Sequence, residues 1–177
     1  MVPFQALQMV GTPRMPSAPA SAPARRSGRR YDFEGTRLGS EKPGHNFPLN
    51  ASFDEVDEAT YDALLILGWP APEYLRVEWA RAGARPRHFR LRGQADRRAV
   101  CHGAQLLAAA GVIKGRRISA YPACAPEVEL AGGQYCDIPV DDAVTDANIV
   151  TAPAWPAHLK WLAQFLGVLA NVRSRAA

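Results

Sequence analysis

The chain has 177 residues, 47% of them hydrophobic and 21% charged, which is one domain's worth of globular protein with material for a sizeable core. Its longest apolar run, residues 63–68, is far too short to cross a bilayer, and three cysteines with no C-x-x-C pair argue against a disulfide framework or a zinc knuckle. The net charge of +4 is unevenly spread: residues 12–31 and 77–99 hold 12 of the 21 Lys and Arg side chains, while the rest carries nine basic against 15 acidic groups. Those two arginine-rich stretches lack interleaved aromatics or a recognition motif, so neither nucleic acid nor a membrane is an expected partner. Residues 1–11 have no basic start and no clean apolar stretch, so they do not read as a secretory signal, and a cytoplasmic location is the expectation.

Along the chain, Val2, Phe4, Leu7 and Val10 recur at helical spacing and predict a helix within residues 1–11. Residues 12–31, with Pro13, Pro16, Pro19 and Pro23, are expected to be irregular and disordered. Residues 61–68, YDALLILG, form a short apolar run stopped by glycine, which suits a buried parallel strand. A breaker-rich turn, GWPAP, follows from Gly68. Residues 77–99 hold seven arginines and only scattered apolar residues, and are expected to be poor material for a central strand. After Cys101-His102-Gly103, residues 104–111 predict an alanine- and leucine-rich helix ending on glycine. Residues 117–120 suit a short strand, 126–132 a helical turn closed by Gly132-Gly133, and 135–140 and 149–151 two further strands. Over residues 158–172, Leu159, Leu162, Leu166 and Leu169 predict one face of an amphipathic helix. Strands alternating with helices imply a layered α/β domain with a mostly parallel sheet.

The chemistry points to Cys101. Two apolar residues, then Cys-His-Gly, then a helix of small residues is the pattern of a strand–turn–helix elbow, in which a tight turn lifts the side chain above the strand end. Free N–H groups at the start of the helix favour a thiolate, and His102 next door can take up its proton. The same residues also suit a buried structural cysteine ahead of a core helix, and the local sequence does not separate the two. His45 and His158 read as surface or packing residues, Trp155 and Trp161 as core or interface aromatics, and Cys124 and Cys136 as structural thiols. There is no metal-ligand constellation, phosphate-binding glycine loop or Ser-His-Asp set.

Residues 101–151 carry, in order, CHG, an alanine-rich helix, GVIKGR, SAYP, AGG and NIVT. This series resembles the ThiJ/PfpI family, part of the class I glutamine amidotransferase-like superfamily. Residues 61–76, YDALLILGWPAPEYLR, are similar to the family's Y-D-A-L-x-x-P-G-G-R-A-P-E-Y-L-R, and residues 40–62 and 1–11 supply two more matching blocks. Together they cover roughly three quarters of the chain, and such collinearity is far more specific than one motif.

The resemblance implies a flavodoxin-like, doubly wound three-layer sandwich with its site at the carboxyl ends of the strands. It implies Cys101 as nucleophile, His102 as the adjacent histidine of the PfpI-type branch, and Glu73 as the glutamate that reaches the histidine of a neighbouring subunit. Gly68, Trp69 and Gly103 match the turns that form an oxyanion site. On their own residues, Glu73 is a solvated turn acid and Gly68 an ordinary strand end. The activity implied is cysteine-dependent, cofactor-independent processing of small reactive carbonyls, of the glyoxalase or deglycase kind, on small aldehyde or glycated substrates in a homo-oligomer. Alternatives are an intracellular cysteine peptidase or amidase, and a catalytically disabled relative with a binding or stress-response role. Against the family pattern, the first strand and the glutamate that follows it have no counterpart in these residues, residues 12–31 and 77–99 diverge, and Trp69 replaces a second glycine.

Overall fold

A computed structural model describes residues 2–12, 17–18, 26–31, 42–57, 60–68, 71–81 and 96–176. Trp69 lies outside the described residues, and for residues 17–18, 26–31, 42–47, 54, 78–81, 96–100 and 172–176 only the backbone is described. The chain divides into two compact units, residues 7–57 and residues 1–6 with 58–177.

The first helix, α1 (Val2–Met9), forms where the spacing predicts it. Its fully buried residue is Pro3; of the predicted stripe, Phe4 and Leu7 are half-buried while Val2 and Val10 are exposed, so the stripe is only partly covered. In the unit of residues 7–57, β1 (Ser17–Ala18) pairs in parallel with β4 (Ala51–Ser52), and β2 (Arg26–Tyr31) pairs antiparallel with β3 (Lys42–Pro48). Strand structure at residues 17–18 and 26–31 departs from the expectation of an irregular tether there: neither strand contains proline, so every N–H in them is available to a ladder, and residues 13–16 and 19–25 lie outside the described residues. After β4 the chain turns through Phe53–Glu55, and the Glu55 carboxylate accepts hydrogen bonds from the Ser52 N–H at 2.7 Å and the Ser52 hydroxyl at 2.9 Å.

The larger unit is built on a four-stranded sheet of β5 (Ala63–Ile66), β6 (Asp96–Val100), β9 (Val144–Asp146) and β10 (Ile149–Ala152), in the order β5-β6-β10-β9. The first two pairings are parallel and the last is antiparallel. Here β6 departs from the expectation at the end of residues 77–99: it takes an interior place, with Leu64 and Ile149 both opposite Arg97, while residues 82–95 lie outside the described residues. Ladder hydrogen bonds join backbone groups whatever the side chain, so an arginine-rich strand can still be held from both sides.

Between these strands run α2 (Ala71–Arg81), α3 (Ala104–Ala109), the paired short strands β7 (Arg117–Ile118) and β8 (Gln134–Tyr135), α4 (Ala125–Leu130) and, at the end, α5 (His158–Ala176). The strand expected over residues 135–140 stops at Tyr135. Cys136 still donates to the Ile118 carbonyl at 2.8 Å, but Pro139 has no N–H to offer and its carbonyl instead closes a turn with Asp142 N at 2.9 Å.

All four residues of β10 are buried, as expected of a strand covered on both faces. Ile149 belongs to one cluster with Ile66, Leu106, Leu107, Ile118 and Val128, which joins α3 and α4 to the sheet. Thr151, two residues on and therefore on the same face, accepts the buried Ser119 N–H at 2.9 Å. The intervening residue, Val150, has its carbonyl capped by the indole N–H of Trp161 at 3.1 Å, which docks α5. The buried residues of that helix are Trp161, Leu162, Phe165 and Leu169, whereas Leu159 is exposed. The predicted leucine stripe was therefore out of phase at its start, because the two aromatics cover more apolar area than the leucines they displace. Among the described residues, no helix is long and apolar enough to cross a membrane.

Candidate functional site

The carboxyl end of β6 runs directly into a tight turn over Cys101–Gly103. Cys101 sits at φ 57°, in the left-handed region that L side chains rarely adopt. A cysteine held there costs on the order of 1–2 kcal/mol relative to an ordinary backbone conformation. Its thiol is only half-buried, and Sγ lies 3.1 Å from Nδ1 of His102.

Gly103 explains why the elbow can close. A Cβ at this buried position would meet Ile66 Cγ2 at 3.0 Å and the carbonyl oxygens of Ile66 and Leu67 at 3.2 and 3.3 Å. Only glycine lets the turn after β6 press so closely on the end of β5. Gly68 follows directly, so the structure brings two of the three expected oxyanion residues, Gly68 and Gly103, to adjoining strand ends; the third, Trp69, is outside the described residues.

His102 is fixed on three sides. Its ring stacks on Tyr121, with centroids 5.0 Å apart and planes 22° from parallel, and Nε2 lies 3.5 Å from Oε1 of Glu73 in the first turn of α2. That spacing is too long for a good hydrogen bond but close enough for an electrostatic hold. It occurs within one chain, whereas the resemblance implied a glutamate reaching a neighbouring subunit. Burial holds the imidazole below its ordinary 6.5; the Glu73 and Glu127 carboxylates oppose this, and the Arg76 guanidinium reinforces it. A neutral ring with one nitrogen toward a carboxylate and the other toward a thiol is arranged to accept the thiol's proton.

Residues that the sequence reading did not single out complete the site. Arg76, one turn beyond Glu73 on α2, donates through Nη1 to Oε1 of Glu127 at 2.5 Å. Gln105, buried on α3, donates to the other oxygen of the same carboxylate at 3.0 Å. Arg76, Gln105 and Tyr121 do lie inside the matching blocks YLR, CHGAQ and SAYP, which was the available signal; Glu127, in a stretch between SAYP and AGG, had none.

Cys124 is fully buried at the head of α4, and burial pushes its thiol up to about 12, with negative charge at Cys101, Glu127 and Glu73 acting in the same direction. It stays protonated and unreactive. Cys136 makes a weak contact to the Gln134 carbonyl. His158 packs beside Trp161, and Trp155 is exposed; His45 lies in β3, where only the backbone is described. Among the described residues, no group of three or more His, Cys, Asp or Glu side chains could hold a metal ion.

The chain is 41% identical over 174 residues to Protein DJ-1 homolog D of Arabidopsis thaliana, covering 95% of this chain and 43% of that protein. It is 32% identical over 129 residues to Deglycase PfpI of Pyrococcus furiosus, covering 72% of this chain and 74% of that one. The chain thus spans less than half the length of the plant relative. Among solved structures, Schizosaccharomyces pombe DJ-1 superposes with a TM-score of 0.66 at 16% identity, over 99% of this chain and 89% of that one, which shows a shared flavodoxin-like α/β fold. The DJ-1/PfpI family profile matches residues 32–167, most of the sequence and the whole of the site just described, and the chain belongs to that family.

Proposed function

We propose that the chain is a cysteine-dependent enzyme acting on small reactive carbonyls, in the manner of a glyoxalase or deglycase and without a cofactor. The observation that carries the reading is Cys101 held at φ 57° with its thiol 3.1 Å from an imidazole that burial keeps neutral. Several relatives bear the name deglycase, among them those of Pyrococcus furiosus and Escherichia coli, which supports this class of substrate.

In the proposed reaction, the Cys101 proton passes to His102 Nδ1 and the sulfur bonds to the aldehyde carbon of a 2-oxoaldehyde. The carbonyl π pair moves to oxygen, which takes a proton, giving a hemithioacetal. His102 then moves a proton from the former aldehyde carbon to the neighbouring carbonyl carbon, while the hemithioacetal hydroxyl proton passes to the oxygen of that carbonyl. That carbon becomes a carbinol and the former aldehyde becomes a thioester. Water cleaves the thioester, frees Cys101 and releases a 2-hydroxy acid. The net change is addition of one water, with oxidation of one carbon balanced by reduction of its neighbour. Backbone N–H groups around Gly68 and Gly103 are the proposed stabilisers of the developing oxyanion. Removal of an early sugar adduct from an amine begins with the same thiolate and is the same chemistry applied to a glycated substrate.

A homo-oligomer belongs to this reading, supported by Tyr74 and Val77, which are exposed on the helix that carries Glu73. Sedimentation of the purified chain tests that part. For the activity, methylglyoxal consumption is measured for the chain and for Cys101→Ser side by side. Turnover that drops at least about a hundredfold in the variant is the expected result; equal rates in folded protein, or none from the parent, would overturn it.

A further inference from the structure

We infer that Arg76 and Glu127 are positioning residues that hold Glu73 and the Cys101–His102 pair in register, by tying the helix that carries the first to the helix that follows the second. The inference rests on the cysteine–histidine reading of the site, and deepens it. Three helices converge on one carboxylate. From α2, Arg76 Nη1 reaches Oε1 of Glu127 at 2.5 Å; from α3, Gln105 Nε2 reaches Oε2 at 3.0 Å; Glu127 itself sits in the first turn of α4. Both carboxylate oxygens are engaged, each by a different helix.

The placement of those helices gives the contact its consequence. Glu73 and Arg76 are three residues apart on α2 and so share a face, which means that anchoring Arg76 anchors the turn bearing Glu73. Gln105 lies three residues after His102, at the start of the helix that continues the elbow. The 3.5 Å approach of Glu73 to His102 is too long to be a strong bond in its own right, and Glu73 is nearly half exposed, so it does not hold the two elements together. A charge-assisted pair through a planar guanidinium is the stronger link. The network is also costly to keep: Arg76 Nε and Gln105 Oε1 are buried without a hydrogen-bond partner among the described residues. A link made only for stability would be expected to satisfy these atoms or replace them with apolar ones.

The charges facing His102 also require both members. Glu73 and Arg76 from α2 and Glu127 from α4 act on the ring, with Tyr121 stacked on it and Cys101 beside it. Loss of Glu127 alone would leave the Arg76 cation unbalanced beside the imidazole.

The test reads Cys101 itself rather than a substrate, so that it stands apart from the carbonyl-processing reading. Alkylation of Cys101 by iodoacetamide is followed against pH, with the modified cysteine identified by peptide mapping, for the parent chain, Glu127→Ala, Glu127→Gln, Arg76→Met and Arg76→Lys. Methylglyoxal kcat and KM are measured in parallel. The expected result is a displaced pH profile and a kcat lowered about tenfold in Glu127→Ala and Arg76→Met, with KM within about twofold and partial rescue in Arg76→Lys. Arg116→Ala, which breaks a half-buried ion pair to Asp146 outside the Arg76–Glu127–Gln105 network, is the control and should leave the profile unchanged. If Glu127→Ala does not fold, Glu127→Gln and Arg76→Met decide the question. Folded variants with the parent's alkylation profile and kcat would overturn the inference. A parent chain that turns over no methylglyoxal, yet shows the displaced alkylation profile in its variants, would instead sink the substrate reading and leave the positioning role standing.

Discussion

Glu73 Oε1 and His102 Nε2 approach to 3.5 Å within a single chain, the carboxylate half exposed and the ring mostly covered. The carboxylate favours the charged ring and works against the burial that lowers its pKa. Glu73→Gln removes that opposition while keeping the side chain's shape, so the His102 titration should move further down and the acid limb of any His102-dependent rate should follow it. Because solvent screens Glu73, the displacement should be modest and should shrink with added salt. NMR titration of the ring checks this; an upward movement, or none at low salt, would refute the assigned role.

The depressed His102 also bears on stability. As pH falls, the unfolded chain takes up a proton near the ordinary 6.5 while the folded ring still resists it. The unfolded state then binds more protons, so stability declines with falling pH from about 6.5 until the folded ring titrates, and levels off below that. Urea unfolding at a series of pH values should show this decline in the parent and a weaker one in His102→Gln. A parallel pair of curves would mean that other groups carry the pH dependence.

Gly103→Ala tests the contact between the two strand ends. The new methyl would sit 3.0–3.3 Å from Ile66 Cγ2 and two backbone carbonyl oxygens, and backbone yields less readily than a side-chain tip. Overpacking of this kind costs about 1–3 kcal/mol. The elbow should also shift, so reactivity at Cys101 should fall by more than the loss of stability alone explains. Denaturant unfolding with Cys101 alkylation on the same samples checks both, and a neutral substitution would show that the turn has room to spare.

How much of this was legible beforehand follows from what each residue depends on. The elbow was readable because strand, Cys-His-Gly and small-residue helix are consecutive in the chain. The strands β5 and β10 and the closing Gly132-Gly133 were readable for the same reason, Gly132 at φ +80° donating to the Glu129 carbonyl and Gly133 to that of Val128. Central placement of β6 was not, since arginine content describes side chains while the sheet is held through backbone. Nor was Glu127: it meets Arg76 across 51 residues and Gln105 across 22, and no local pattern marks a carboxylate whose partners arrive from two other helices. The family blocks named Glu73 as functional, yet its partner in the same chain became visible only once α2 was set against the elbow.

The strain at Cys101 separates function from stability at one position. Cys101→Ala and Cys101→Gly both remove the sulfur, so both should abolish any thiol-dependent activity. They differ in the backbone: alanine keeps the Cβ that makes φ 57° unfavourable, whereas glycine accepts that conformation freely. Glycine's greater freedom in the unfolded chain opposes this gain and roughly halves it. Cys101→Gly should therefore be more stable than Cys101→Ala by about 0.5–1 kcal/mol. A glycine variant less stable than the alanine one would mean that the turn is not strained at this residue, and that the position of the thiol owes nothing to a conformation the fold has to enforce.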